Sequence, residues 1–100
     1  MTVRPKIVRP PGFVVDLHGA FMRRVDLSNA DLERANLAGT DAANASFRGA
    51  NLKDANLKGA FLRGADLRDA KNLTWEQLSE AVIDETTMLP DYLHVEAAFS

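Results

Sequence analysis

The sequence predicts an all-β solenoid, a chain wound into a prism with flat sides. Three observations predict it. Every fifth residue from Leu17 to Leu67 is apolar, eleven times without a gap. Two residues before each apolar centre stands a small residue, from Val15 through Ala65. Two residues after it, nine of the eleven units carry Gly, Asn or Asp, the types that best tolerate the positive φ of a tight corner. An internal repeat of this kind outranks every other sequence signal for architecture.

A period of five fits neither ordinary element. On an α-helix, five residues advance the chain by about 140°, so the apolar series winds around the whole cylinder. A continuous strand alternates with period two, and five is odd. The small residue and the apolar centre lie two apart, so both point inward from one short extended segment. The chain then bends before the next pair. Gly19, Gly39, Gly49, Gly59 and Gly64 mark bends, with Asn29, Asn44, Asp54 and Asp69, while Arg24 and Arg34 break the pattern.

Residues 1–14 form a separate opening segment. Pro5, Pro10, Pro11 and Gly12 exclude a helix there and predict an extended N-terminal cap. Phe13 and Val14 are expected to shield the first coil.

Residues 15–74 form the repeat domain. Its units, such as Ala30-Asp31-Leu32-Glu33-Arg34, Ala35-Asn36-Leu37-Ala38-Gly39 and Ala55-Asn56-Leu57-Lys58-Gly59, resemble the pentapeptide repeat family over residues 15–69. The resemblance implies a right-handed quadrilateral β-helix with four units per turn, and so about three coils. Residues twenty apart then stack. Leu17, Leu37 and Leu57 form one core ladder, and Leu27, Phe47 and Leu67 another. Met22, Ala42 and Leu62 form a third, while Leu32 and Leu52 form a fourth that ends at Asn72. Side chains fill such an interior and leave no cavity for a small-molecule substrate. Outside, the stacking sets Glu33 over Lys53 and Arg34 over Asp54 as solvated ion pairs.

Residues 75–100 differ in kind and predict a C-terminal α-helical cap with a tail. Thr74 and Gln77 match a capping box, and Trp75, Leu78 and Val82 fall on one helical face. These three are expected to cover the last coil, with Trp75→Ala costing about 3 kcal/mol. Pro90 is placed to open a second short helix. The apolar tail residues Leu89, Tyr92, Leu93 and Phe99 are candidate contacts of a homodimer.

The function classes narrow by composition and by shape. A net charge of −2 points to neither nucleic acid nor an acidic membrane surface. The absence of cysteine removes disulfides and thiolate metal sites. No apolar run reaches membrane-spanning length and no signal peptide is evident, so a cytoplasmic location is expected. His18 and His94 lie in different segments, and the recurring Asp series has a structural explanation in local backbone bonding. Neither a catalytic constellation, nor a cofactor site, nor a metal site is predicted.

What remains is recognition by the outer faces. Phe21 and Phe61 occupy a phase filled mostly by Asp or Asn, and forty residues apart they share one face with Asp41 between them. Arg23 and Arg63 flank them, so Phe21, Arg23, Asp41, Phe61 and Arg63 are the candidate site for an unidentified protein partner. The alternative comes from the resemblance: some family members mimic duplex DNA and bind type II topoisomerases such as gyrase. Those members are strongly acidic, whereas residues 15–69 here hold eight acids and eight bases.

Overall fold

The computed structural model describes residues 12–93. The corner is the unit from which the fold is built. In each of the eleven units the amide that opens the next unit donates to the carbonyl of the apolar centre, from Ala20 to Leu17 through Ala70 to Leu67, at 2.9–3.3 Å. Each such turn holds a residue of positive φ in its third place, between 57° and 74°. That is the place a type II turn gives to glycine. Arg24 (φ 62°) and Arg34 (φ 60°) take the same conformation as the glycines, so the turn is imposed at all eleven corners whatever the residue. For a residue with a Cβ this region costs roughly 1–2 kcal/mol.

Four such corners return the chain to its starting side. Parallel bridges join residues twenty apart, as in Asp16 to Asn36 to Asn56 on the first side and Phe21 to Asp41 to Phe61 on the second. Asp26, Ser46 and Asp66 make the third side, and Asp31, Asn51 and Lys71 the fourth. Each side is a single extended pair with its corner, and three backbone bonds join it to the next coil: Leu17 N–H to the Asn36 carbonyl, Asn36 N–H to the Val15 carbonyl and Gly19 N–H to the Ala38 carbonyl, all 2.8 Å. The chain is a β-helix solenoid.

The inward pairs fill the axis. Leu37, Leu57, Phe47 and Leu67 are buried, with the small residues Ala35, Ala45, Ala55 and Ala65 beside them. Leu17 and Leu27, at the N-terminal end of the same ladders, are only half-buried. Phe13 and Val14, expected to shield that end, are 48% and 40% exposed. Thr40, the one polar residue in the small phase, is buried and its hydroxyl donates to the Leu37 carbonyl at 3.0 Å.

At the C-terminal end the repeat changes register. Asn72 takes φ 63° at the position of the apolar centre, and this turns Leu73 inward, 3% exposed, to end the fourth ladder. Helix α1 (Trp75–Ser79) follows, with the Thr74–Gln77 capping box formed. The Gln77 side-chain amide also donates to the carbonyls of Leu52 (2.8 Å) and Ala55 (2.9 Å), tying the helix to the last full coil. Leu78 is buried beneath it.

Two cap expectations are corrected here. Trp75 is 38% exposed although it shares a helical face with Leu78, and it is Leu78 that the placement of this short helix on the last coil buries. Val82 lies beyond the helix and extends the second side instead, bridging Phe61 with its amide on the Ala60 carbonyl at 2.8 Å. Met88 does the same on the third side against Asp66. The chain after Pro90 makes a turn closed by Leu93 N–H to the Pro90 carbonyl, and through residue 93 there is no second helix.

Two predictions follow from corner and cap. Gly64→Ala loses more stability than Gly19→Ala in urea unfolding. Both residues have positive φ, but a Cβ on Gly64 falls 2.0 Å from the Asn44 side-chain oxygen, while one on Gly19 meets nothing within 4 Å. Equal losses would show that the packing of Asn44 over Gly64 adds nothing. Leu78→Ala lowers the unfolding free energy by about 3 kcal/mol and Trp75→Ala by about 1 kcal/mol; the reverse order would return Trp75 to the centre of the cap.

Candidate functional site

Outward positions follow one local rule, and the candidate site is where it lapses. In nine of the eleven units the residue before the apolar centre is Asp, Asn or Ser, and its side-chain oxygen accepts the amide two residues on. Examples are Asp26 from Ser28 (2.9 Å), Asn56 from Lys58 (3.0 Å) and Asp66 from Arg68 (3.0 Å). This bond holds the extended segment against its corner. Phe21 and Phe61 are the two units that lack it, and both lie on the second side.

There the two rings flank Asp41 in one bridged column. With strands about 4.8 Å apart, the two Phe backbones are about 10 Å from each other. Phe21 is 75% exposed and Phe61 half-buried. The Arg23 guanidinium lies 5.2 Å from the Phe21 ring centroid, and that of Arg63 lies 5.0 Å from the Phe61 centroid. Arg23 Nε also donates to Asp41 at 2.8 Å, so this guanidinium is held between a ring and a carboxylate. Arg63 approaches Asp84 at 3.8 Å. All five residues predicted for this face are therefore brought together. Ala43, half-buried, sits between Arg23 and Arg63 in the corner column. Val82 lengthens the column beyond Phe61 and was missed, because helical spacing with Leu78 masked its pairing as an extended residue.

Other sequence expectations fare differently. Among the described residues Glu33 forms no ion pair with Lys53, nor Arg34 with Asp54. The pairs that form include Arg48 with Asp69 at 3.4 Å and Arg68 with Asp66 at 2.8 Å. The tail residues are engaged within the chain. Leu93 is 9% exposed, Leu89 packs on the core, and the Tyr92 hydroxyl accepts from Leu73 N–H at 3.1 Å and donates to the Ala70 carbonyl. A dimer contact through Leu93 is corrected on that ground, and Phe99 lies outside the described residues. Among the described residues no group of three or more His, Cys, Asp or Glu is placed to hold a metal ion. No helix among them is long and apolar enough to cross a membrane. An open polar cleft of about 340 Å³ lies beside α1, lined by Asp54, Asn72, Thr74 and Glu80.

Residues 30–69 match the family model for pentapeptide repeats in eight copies. Residues 30–69 are a pentapeptide-repeat array. The three units before residue 30 lie outside that match, yet they share its turn bonds and its left-handed corners. Among solved structures, the chain is similar to the pentapeptide repeat protein Rfr23 from the cyanobacterium Cyanothece 51142, at 28% identity over 74% of this chain and 56% of that one, with a TM-score of 0.33. The chain thus spans about 56% of the length of Rfr23. It is also similar to alr5209, a pentapeptide repeat protein from Nostoc Pcc 7120, at 29% identity over 85% of this chain and 82% of that one, with a TM-score of 0.31. No curated protein matches the sequence.

Three carboxylates of the array and its cap ionise more readily than usual. Side-chain hydrogen bonds from Arg68 hold Asp66 below its ordinary value, with both guanidinium contacts at 2.8–2.9 Å. Ser28 lowers Asp26 through side chain and amide, and Thr86 lowers Asp84 in the same way, with the Arg63 charge adding to it. A carboxyl lowered on folding binds fewer protons than in the unfolded chain, so stability rises with pH through its titration. The melting temperature should therefore be level above about pH 5 and fall below about pH 4. Arg68→Met should move the Asp66 titration, followed by NMR, back toward its ordinary value; an unmoved Asp66 would remove Arg68 as the cause.

Proposed function

We propose that the chain is a non-catalytic interaction module: a solenoid of about three coils, closed by a C-terminal helical cap, whose second side docks a protein partner. One observation carries this reading. The turn bond made by Asp, Asn or Ser in nine units is replaced at Phe21 and Phe61 by an outward aromatic, and the two lie on the same side about 10 Å apart. Stability of the repeat favours the polar residue at this phase. An exposed ring with a stacked arginine is the composition of an interface anchor. Arg23, Asp41 and Arg63 would orient the partner around the two rings.

The fold supports no competing catalytic reading. The interior is filled by aliphatic and aromatic side chains, and the open cleft beside α1 holds carboxylates but no His, Lys or Arg to act with them. The duplex-mimic alternative calls for long acidic sides. Here cations alternate with acids, as in the pairs of Arg23 with Asp41 and Arg48 with Asp69.

The test separates binding from folding. Phe21→Asn and Phe61→Asn together restore the local turn bond while removing both rings. The double variant should melt at or above the temperature of the parent, and should lose the proteins that the parent captures from a lysate of its source, identified by mass spectrometry. An unchanged set of captured proteins would reject the second side as the docking face.

A further inference from the structure

The rows of the second side form a series that is its own complement. Four rows follow one another along it, about 4.8 Å apart. They are Phe21 with Arg23, Asp41 with Ala43, Phe61 with Arg63, and Val82 with Asp84. The first row is aromatic and cationic, and the fourth is aliphatic and anionic. The second row is low and carries a carboxylate, while the third is tall and carries a guanidinium. Each row therefore has its complement on the same face, the first in the fourth and the second in the third. Phe21, Arg23 and Arg63 are exposed among the described residues, and Phe61, Val82 and Asp84 are half-buried. The corner that precedes this side is low, because Gly19, Gly39 and Gly59 stack there before Glu80. A flat face can approach over such a corner.

We propose that the second side docks a second copy of this chain, with the two solenoids side by side and their axes antiparallel. The proposal rests on the reading of this side as the docking face, and it names the partner. The two-fold axis runs along the strands, midway between the Asp41 and Phe61 rows. Phe21 then packs on the partner's Val82, and Arg23 meets the partner's Asp84. Phe61 and Arg63, the tall row, fall on the low row of the partner, which brings Arg63 to the partner's Asp41. Every contact is made twice, as a two-fold interface requires. Arg23 holds Asp41 of its own chain through Nε, and a guanidinium carries further donors on its two terminal nitrogens for a second carboxylate. Other registers fit less well. Turned about the Asp41 row, the face sets Asp41 on Asp41 and Arg23 on the partner's Arg63, which is unfavourable. With parallel axes each row faces itself, and the Asp84 carboxylate lies on the partner's Val82. The face measures roughly 20 by 10 Å. That is well under the about 800 Å² which each partner of a stable complex buries. The dimer is accordingly weak, with a dissociation constant of about 10⁻⁴ M.

Sedimentation equilibrium of the full chain, from about 10 µM to about 1 mM, tests this. The parent should dimerise reversibly across that range. Arg23→Asp alone and Asp84→Arg alone each place like charges together in both halves of the interface, and each should weaken association about tenfold or more. An equimolar mixture of the two variants should associate as tightly as the parent. In the mixed dimer the two substituted positions face each other in one half, and the two native ones in the other. Mixing restores no contact within a chain, so the recovery reads the interface alone. A parent that stays monomeric, or a mixture no tighter than the separate variants, overturns the proposal. Recovery of Arg23→Asp by Asp41→Arg in place of Asp84→Arg sets a different register and overturns it too. If the parent is monomeric and Phe21→Asn with Phe61→Asn still loses its captured proteins, self-pairing falls while the second side stands as the docking face for another chain.

Discussion

Everything in this molecule depends on one left-handed residue in every five. At each corner the backbone turns through positive φ and closes a bond from the next unit's amide to the carbonyl of the apolar centre. The turn leaves only two inward residues per side, one small and one large. It also leaves one outward residue in the ladder and two at the corner. Side length, coil size and stacking distance are thereby set together. That Arg24 and Arg34 adopt the glycine conformation shows the direction of control: the stack dictates the corner, and the residue there accommodates it. Local preference is a contribution that the long ladder can override.

The constraint divides the residues into those that hold the prism and those that are free. Apart from Thr40, the inner ladders are apolar throughout the middle of the stack, and their variation is one of volume, as between Ala42 and Phe47. The outward ladder position has its own structural task, because Asp, Asn and Ser there bond the amide of their own corner. A residue at that position which cannot make the bond stands out against a strong local background. Phe21 and Phe61 stand out as a candidate site for this reason, more than for their exposure alone. The arginines stacked on them are corner residues, placed by the same geometry three bonds of logic away: the ring fixes the side, the turn fixes the corner, and the corner brings the guanidinium over the ring.

A solenoid must also end, and its ends cannot obey the rule of its middle. At the C-terminal end the departure begins at Asn72, where a left-handed residue two positions early turns Leu73 inward and frees the chain for α1. The chain after α1 then returns to the ladder twice, through Val82 and Met88. Gln77 joins helix and coil: it completes the capping box of its own helix and bonds two carbonyls of the coil below.

The repeat, its inward pair, its corner phase and the aromatic face were legible from the sequence, because each is decided within five residues or by strict periodicity. The sequence also brought Phe21, Asp41 and Phe61 to one side, since a fixed coil length puts residues twenty and forty apart in one column. The ends were not legible in the same way. Trp75 is larger than Leu78 and shares its helical face, yet only the placement of a five-residue helix on the last coil settles which of them is buried. Val82 and Leu93 were misread because an apolar residue outside the repeat carries no phase; its partner is whatever the final coil leaves uncovered. The corner ion pairs escaped prediction too, since stacking fixes Cα positions while long side chains choose among several oppositely charged neighbours. Period and corner chemistry are local and were determined by the sequence itself. Closure and charge pairing depend on surfaces that exist only once the coils are stacked, and the tertiary structure decided them.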